Sequence, residues 1–325
     1  MNRPHTLTRR AFLALAAGLS GAAALRPLRA QDWSEEAPIA ASIRADLEAF
    51  IGRRSMALDF RCIDSAYAER FRIQINADNL MPVASCFKAF AVLYYYLNTP
   101  AADWNDGPGT PLYRMAVYSD NRATGVVLAD TAERVPGPEN AIVKFNDFLR
   151  GTMGLTNGLH TWNHPGSPTV GLSDPRFAPS AVNGRVVLVR GSAYQVDNVF
   201  TASDLARGHD FILRGEHFTR SETFRQAARA TSALLSIPAT DIDYVSPIER
   251  VYPLGYTGKD GVLPTDMIAT GRVINDAGVV RAGGSRFIIA FMSAGEGDIN
   301  ALNALAEVVR QIEVYTAWAA ANGGA

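Results

Sequence analysis

The apolar run Ala89-Phe90-Ala91-Val92-Leu93-Tyr94-Tyr95-Tyr96-Leu97 constrains this chain more than any other segment. It carries no charge on any face, and a helix that is apolar all round belongs inside a core. At its N-terminal end stands Ser85-Cys86-Phe87-Lys88. Residues three apart on a helix share a face, so the Lys88 amine is within reach of the Ser85 hydroxyl. A serine hydroxyl is a poor nucleophile until a neighbour takes its proton. A lysine among apolar groups loses part of its preference for the charged form and can be that neighbour. The chain holds three lysines, Lys88, Lys144 and Lys259, among 31 basic residues. The others are arginines, which stay protonated and cannot do this work. Ser-x-x-Lys is a short pattern, and a lysine at a helix start also snorkels to solvent, so the pair alone carries little weight. A second motif downstream adds to it.

Composition narrows the setting. The chain is 48% hydrophobic and 19% charged, an ordinary globular balance. Thr8-Arg9-Arg10-Ala11-Phe12-Leu13, an Ala/Leu/Gly run to Leu25 and then Arg26-Pro27-Leu28-Arg29-Ala30 read as an export signal over residues 1–30. The paired arginines resemble the twin-arginine type, and an ordinary secretory signal is the alternative. The expected setting is therefore periplasmic or secreted, with no membrane anchor once the signal is removed, because the apolar run is too short to span a bilayer. Residues 1–30 hold five arginines and no acid, so the remainder has 26 basic and 32 acidic residues and a net charge of −6. That balance argues against nucleic acid or an anionic membrane surface as partner. Cys62 and Cys86 are the only cysteines. Export permits a disulfide, burial favours free thiols, and the sequence leaves the pairing open. No zinc-type spacing and no two-histidine helix motif occurs, so neither a metal nor any other cofactor is expected.

Hydrophobic periodicity lays out the rest. Ile39, Ile43, Leu47, Phe50 and Ile51 mark an N-terminal amphipathic helix, followed by strands about Met56–Ile63 and Arg70–Ile75. Helices are expected near Asp120–Asp130, Glu139–Arg150, Ala202–Leu213 and Ser221–Leu235. His160–Pro179, rich in Gly, Pro and Ser, reads as a long loop, and such loops in a compact domain are usually functional. It leads to a hairpin strand at Arg185–Arg190. Strands are expected again at Val251–Thr257, Met267–Asn275 and Arg286–Ser293, before a last helix with Leu302, Leu305, Val309, Ile312 and Tyr315 on one stripe. The implied fold is α+β: an antiparallel sheet completed from both chain ends and flanked by the terminal helices, plus an all-helical lobe. Residues 31–325 form one domain in this reading, with a sheet lobe about 31–80 and 245–325 and a helical lobe about 81–244. A cleft between such lobes is a natural ligand site.

Two further motifs complete a constellation. Ser119-Asp120-Asn121 is one, although these residue types also suit a helix N-cap. Tyr256-Thr257-Gly258, followed by Lys259-Asp260-Gly261, is the other, although it also reads as a strand ending in a Gly-rich turn. Taken in order with Ser85-x-x-Lys88, they resemble the signature of the penicillin-recognising serine hydrolases, class A β-lactamases and their penicillin-binding-protein relatives. The flanks Phe71–Gln74, Met81–Ser85, Asp266–Ala269 and Phe287–Phe291 resemble that family too, so the likeness spans nearly all of residues 31–325. It implies a serine hydrolase whose Ser85 becomes acylated, with Lys88 helping to take its proton and Ser119 relaying a proton to the leaving nitrogen. Asn121 would hold Lys88 and the substrate amide. Thr257 would bind a substrate carboxylate, and the N–H groups of Ser85 and Lys259 would form the oxyanion hole. Tyr256 and Gly258 complete the implied substrate-binding set.

The departures matter as much. The family has lysine where this chain has Tyr256, and a neutral phenol supplies no positive field. Arg272 or Arg281 could contribute that charge, or could be solvated surface arginines. The family's deacylating glutamate has no counterpart in His160-Thr161-Trp162-Asn163-His164-Pro165. Asn163 or His164 falls at its place, and a histidine titrates in the right range to act as a base. The Lys88–Ser119 spacing is short, and Ser167–Asn198 reads as an insertion beside the deacylation loop. The expected partner is a small-molecule or peptide-like substrate with an amide or ester carbonyl, acted on by a monomer. β-Lactam hydrolysis, peptidase, amidase or esterase action on a substrate without a carboxylate, and penicillin binding without turnover all remain open.

Overall fold

Strands drawn from both ends of the chain meet in one five-stranded antiparallel sheet of order β2-β1-β9-β8-β7. The computed structural model describes residues 37–177, 186–189, 192–195, 198–238, 246–263 and 272–322; the expected export signal at 1–30 and the Asp266–Ala269 flank lie outside these. In chain order, helix α1 (Ala37–Ile51) precedes β1 (Met56–Ile63), β2 (Glu69–Ile75) and the short β3 (Met81–Pro82). Helices α2 (Lys88–Asn98), α3 (Pro111–Ala116), α4 (Asn121–Arg134) and α5 (Ala141–Gly151) follow. Then come β4 (Val186–Val189), β5 (Ser192–Gln195), β6 (Val199–Phe200), α6 (Ala202–Gly215), α7 (Glu222–Leu235) and α8 (Pro247–Val251). Strands β7 (Tyr256–Leu263), β8 (Val273–Ala282) and β9 (Ser285–Ser293) and helix α9 (Asp298–Ala321) close the fold.

Every residue of β1 is buried, because the sheet is covered on both faces. Side chains alternate between the faces of a strand, so one strand feeds two cores. On one face Leu58, Phe60, Ile289 and Phe291 pack with Ile43 and Leu47 of α1 and Leu305 and Ile312 of α9. On the other, Ala277, Val279 and Ile288 pack with a core built around α2, including Phe87, Phe90, Tyr94, Phe145 and Leu205. The apolar run is thus the central helix of the helical layer, buried from Lys88 through Tyr96. Cys62 belongs to the first core and Cys86 to the second. The sheet lies between them, and they are not joined in a disulfide.

Two expected strands move: the one expected at Met267–Asn275 is β8, which runs Val273–Ala282, with residues 267–271 outside those described. Val251–Thr257 is not a strand: α8 occupies Pro247–Val251, and β7 begins only at Tyr256. The cause is local. The Ser246 hydroxyl accepts from the Ile248 N–H at 3.0 Å, and proline at the first helical position is already set for a helix. The third motif therefore opens the strand and does not end it. β7 then pairs with β8 from Tyr256↔Val280 through Leu263↔Val273 and forms the free edge of the sheet.

His209 on α6 sits in the helical core, 2% exposed, against the Phe90 ring, and its Nε2 has no hydrogen-bond partner among the described residues. Burial lowers its pKa from 6.5 to about 4. The unfolded chain therefore binds the proton first, and stability present above pH 6.5 drains away as the pH falls through 4. The loss is about 3 kcal/mol on the linkage relation. A His209→Leu variant is expected to lack this part of the acid-induced loss, read by urea unfolding at pH 7 and pH 4.

Candidate active site

Ser85 stands in the turn between β3 and α2. Asn275 holds this approach to the sheet by donating its amide to the Pro82 carbonyl at 2.7 Å, and the Val83 N–H donates to the Asn198 carbonyl at 3.2 Å. Ala84 has φ +50°, a left-handed conformation that costs a residue with a Cβ about 1–2 kcal/mol. The turn is closed by Lys88 N–H donating to the Ser85 carbonyl at 3.0 Å. Ser85 is half-buried, and its hydroxyl makes no hydrogen bond among the described residues.

Lys88 is 0% exposed. Its Nζ donates to the Asn121 Oδ1 at 2.6 Å, the Ser119 carbonyl at 2.7 Å and the Ser119 Oγ at 3.2 Å. The expected contact with the Ser85 hydroxyl is not among these bonds. The second motif supplies all three acceptors because of how α4 begins. Asp120 is its N-cap, accepting from the Ala123 N–H at 2.9 Å, and Asn121 is its first residue. Arg114 pairs with Asp120, and Ser119 takes φ +57°, turning its carbonyl and hydroxyl towards Lys88. Burial, and then the charge of Lys259, push the Lys88 amine well below its ordinary value; Asp260, Asp120 and Cys86 oppose them. As a free amine it retains two donor hydrogens and gains a lone pair. The 3.2 Å contact then runs the other way, with the Ser119 hydroxyl donating.

Strand β7 corrects the third motif. Tyr256 and Gly258 lie on the face of the sheet turned to α1 and α9. Tyr256 is 6% exposed in that core and donates its hydroxyl to the Asp276 carboxylate and, at 3.1 Å, to the Ala277 carbonyl. Burial raises the pKa of both Tyr256 and Asp276. This phenol is on the wrong side of the sheet to meet Ser119. Thr257 lies on the helical-layer face but hydrogen-bonds Ser236 at 2.7 Å and Arg281 at 3.0 Å. Two and four residues on, the alternation puts Lys259 and Gly261 on that same face, where it meets Ser85. Lys259 is 3% exposed, with its Nζ 2.6 Å from Asp260 Oδ1. A Cβ added to Gly261 would lie 2.6 Å from the Ser85 nitrogen and 3.1 Å from the Cys86 nitrogen. The segment opposite the nucleophile is thus Lys259-Asp260-Gly261, and it is Gly261, not Lys259, that abuts the Ser85 amide. The two arginines weighed for the missing charge are engaged elsewhere, Arg272 with Asp298 at 2.9 Å and Arg281 with Thr257 and, at 3.9 Å, Glu216.

The loop after α5 brings in an unexpected residue. The Trp162 indole N–H donates to the Asn121 carbonyl at 2.9 Å. Its ring centroid is 5.4 Å from the Lys88 Nζ, and the ring stands edge-on to Phe87 at 5.0 Å. Asn163 and His164 are corrected as site residues. Asn163 is exposed and accepts the Gly171 N–H at 2.8 Å, while the His164 Nδ1 lies 3.2 Å from its own neighbour's carbonyl, Pro165 O. Sequence reasoning missed Asp260, Gly261 and Trp162. Lys259-Asp260-Gly261 carried a signal, a lysine and a glycine two apart; Trp162 carried none beyond its neighbours.

Neither a protein-family model nor a curated protein matches the sequence. Solved structures do. The chain shares its α+β fold with β-lactamases. A β-lactamase from Sphaerobacter thermophilus DSM 20745 is similar over 87% of this chain and 97% of its own, with TM-score 0.56 and 16% identity. A β-lactamase from Burkholderia phymatum covers 84% and 99%, with TM-score 0.53 and 15% identity. An ancestral class A β-lactamase covers 85% and 99%, with TM-score 0.51 and 18% identity. At these identities the likeness is one of fold. Among the described residues, no helix is long and apolar enough to cross a membrane, and no cluster of three or more His, Cys, Asp or Glu could hold a metal ion.

Proposed function

We propose that this chain is an exported serine hydrolase acting by acyl transfer through Ser85. The observation that carries the reading is the fully buried Lys88 amine, held by Ser119 and Asn121 beside the turn that presents Ser85. Ser85 Oγ attacks a carbonyl carbon and forms the acyl ester. Its proton passes to the Lys88 amine, and as the scissile bond breaks the Ser119 hydroxyl hands its own proton to the leaving nitrogen or oxygen and takes one back from the Lys88 ammonium across their 3.2 Å contact, which leaves Lys88 neutral again. The Ser85 N–H and an edge-strand N–H beside Gly261 receive the oxyanion.

A β-lactam or related amide is the first substrate class, on the strength of the fold. A neutral amide or ester is the second, and one contact favours it. Lys259 is neutralised by Asp260, so the crevice holds no unpaired ammonium there for a substrate carboxylate. Incubation with a fluorescent penicillin, a cephalosporin and p-nitrophenyl esters, followed by intact mass, separates these classes. The expected result is one acyl group on Ser85 and none on Ser85→Ala. Equal labelling of Ser85→Ala would remove the proposed nucleophile.

A further inference from the structure

At the end of the sheet away from Ser85, positive charge gathers beyond what the nearby acids offset. Arg281 on β8 and Arg286 on β9 are register partners, so two guanidinium groups stand opposite each other on the helical-layer face. Like charges in that position destabilise a sheet. Glu216, at the end of α6, accepts from the Ser232 hydroxyl and lies 3.5 Å from His217 Nε2 and 3.9 Å from Arg281. Asp64 gives its carbonyl to Arg286 at 3.1 Å and its carboxylate to Arg70 at 3.1 Å. Burial, and then Arg286, Arg229 and Arg281 acting against Glu216, lower the His217 pKa, so the arginines outweigh the acid there.

A small cavity opens beside these groups, between α6, α7 and the start of β7. His209, Glu216, Ser232, Thr257 and Arg281 line it, and it admits about one oxygen-sized atom. The buried His209 Nε2, which has no hydrogen-bond partner among the described residues, belongs to this lining, and a buried polar atom left so is costly. Arg281 donates to Thr257 at 3.0 Å and makes no other hydrogen bond among the described residues, and its side chain is 42% exposed. The Arg286 Nε likewise has no partner among them, and its guanidinium lies 4.2 Å from the centre of the Tyr67 ring. His217 and the exposed Phe218 pack on that ring. A guanidinium fork matches the oxygens of a carboxylate or phosphate. We propose that this rim and cavity bind a small oxyanion, a phosphate or carboxylate group, held by Arg281 and Arg286 with one oxygen accepting from the Nε2–H tautomer of His209. Thr257 stands four residues before Gly261 on β7, about 14 Å along an extended strand, so the site is separate from the Ser85 crevice. Binding here does not rest on acyl transfer.

Thermal unfolding in rising sodium phosphate or sodium acetate, with ionic strength held constant by sodium chloride, tests it. A ligand that binds only the native chain raises Tm as its concentration passes Kd. At least one of the two anions is expected to raise Tm in the wild type, and the stronger of them tells a phosphoryl site from a carboxylate site. Ser85→Ala is expected to respond as the wild type does. Arg281→Gln and Arg286→Gln, two variants so that folding of either suffices, are expected to raise Kd tenfold or more, and His209→Leu severalfold. A wild-type Tm that neither anion moves beyond the chloride control overturns the site. So does a response that keeps its wild-type Kd in both arginine variants, or one that Ser85→Ala abolishes, since the anion then sits elsewhere. None of these results bears on labelling of Ser85, so acyl transfer stands or falls on its own experiment.

Discussion

Lys88→Met is expected to slow labelling of Ser85 by about 10²–10⁴-fold, the usual contribution of a positioned proton acceptor. Lys88→Arg should be as inactive, because a guanidinium keeps its proton. The same substitution has a readable effect on folding. In the native chain burial, with Lys259 second, holds the amine below its unfolded value of 10.5. Between the two values the unfolded chain carries the extra proton, so native stability rises with pH towards 10.5 and falls as the pH drops. Lys88→Met removes that slope. Labelling kinetics by intact mass, with urea unfolding at pH 7 and pH 10, checks both parts. A variant that labels at the native rate would leave Lys88 as a buried structural amine.

Gly261→Ala is expected to be the next most damaging change. The new methyl would lie 2.6 Å from the Ser85 nitrogen and 2.9 Å from the Ala84 Cβ, closer than real contacts allow. Either β7 or the Ser85 turn must yield, and overpacking of this kind costs about 1–3 kcal/mol. The larger effect is chemical, since the methyl fills the space in which an oxyanion would meet the Ser85 N–H. Removing one oxyanion donor costs about 10²–10³-fold in rate. Acylation should fall by that order while Tm drops only modestly. Gly258→Ala is the comparison on the α1 and α9 side of the sheet: its added Cβ would meet the Tyr256 ring and hydroxyl and lie 2.5 Å from the Ala277 carbonyl, so it strains the sheet without touching the Ser85 turn. If both variants acylate normally, β7 does not form the wall of the site.

The helical layer and half of the site could be read from the residues because each rests on a short-range pattern. An uncharged nine-residue run has one stable place, and Ser85, Lys88, Ser119 and Asn121 follow helix starts whose spacing is local. The third motif failed for an equally physical reason. Tyr256-Thr257-Gly258 and Lys259-Asp260-Gly261 both end in glycine, and choosing between them needs the start of β7. That start is set by the Ser246-Pro247 cap of α8, where apolar Ile248 and Val251 look as much like strand as helix. Once the strand begins at Tyr256, alternation sends Tyr256 to the far side and Gly261 to Ser85. Trp162 was out of reach in another way. A loop has no period, so nothing in its sequence says that the tryptophan turns inward while Asn163 and His164 turn out.

Asn198 serves two masters. Its carbonyl takes the Val83 N–H at 3.2 Å, just before the nucleophile's turn, and its side-chain oxygen takes the His160 N–H at 2.8 Å and the Thr161 N–H at 3.3 Å. Its amide group returns a bond to the Thr161 carbonyl at 2.9 Å. An occupant bulky enough to lift residues 160–161 must therefore tug on the peptide that seats Ser85, so the width of the crevice and the aim of its hydroxyl vary as one quantity.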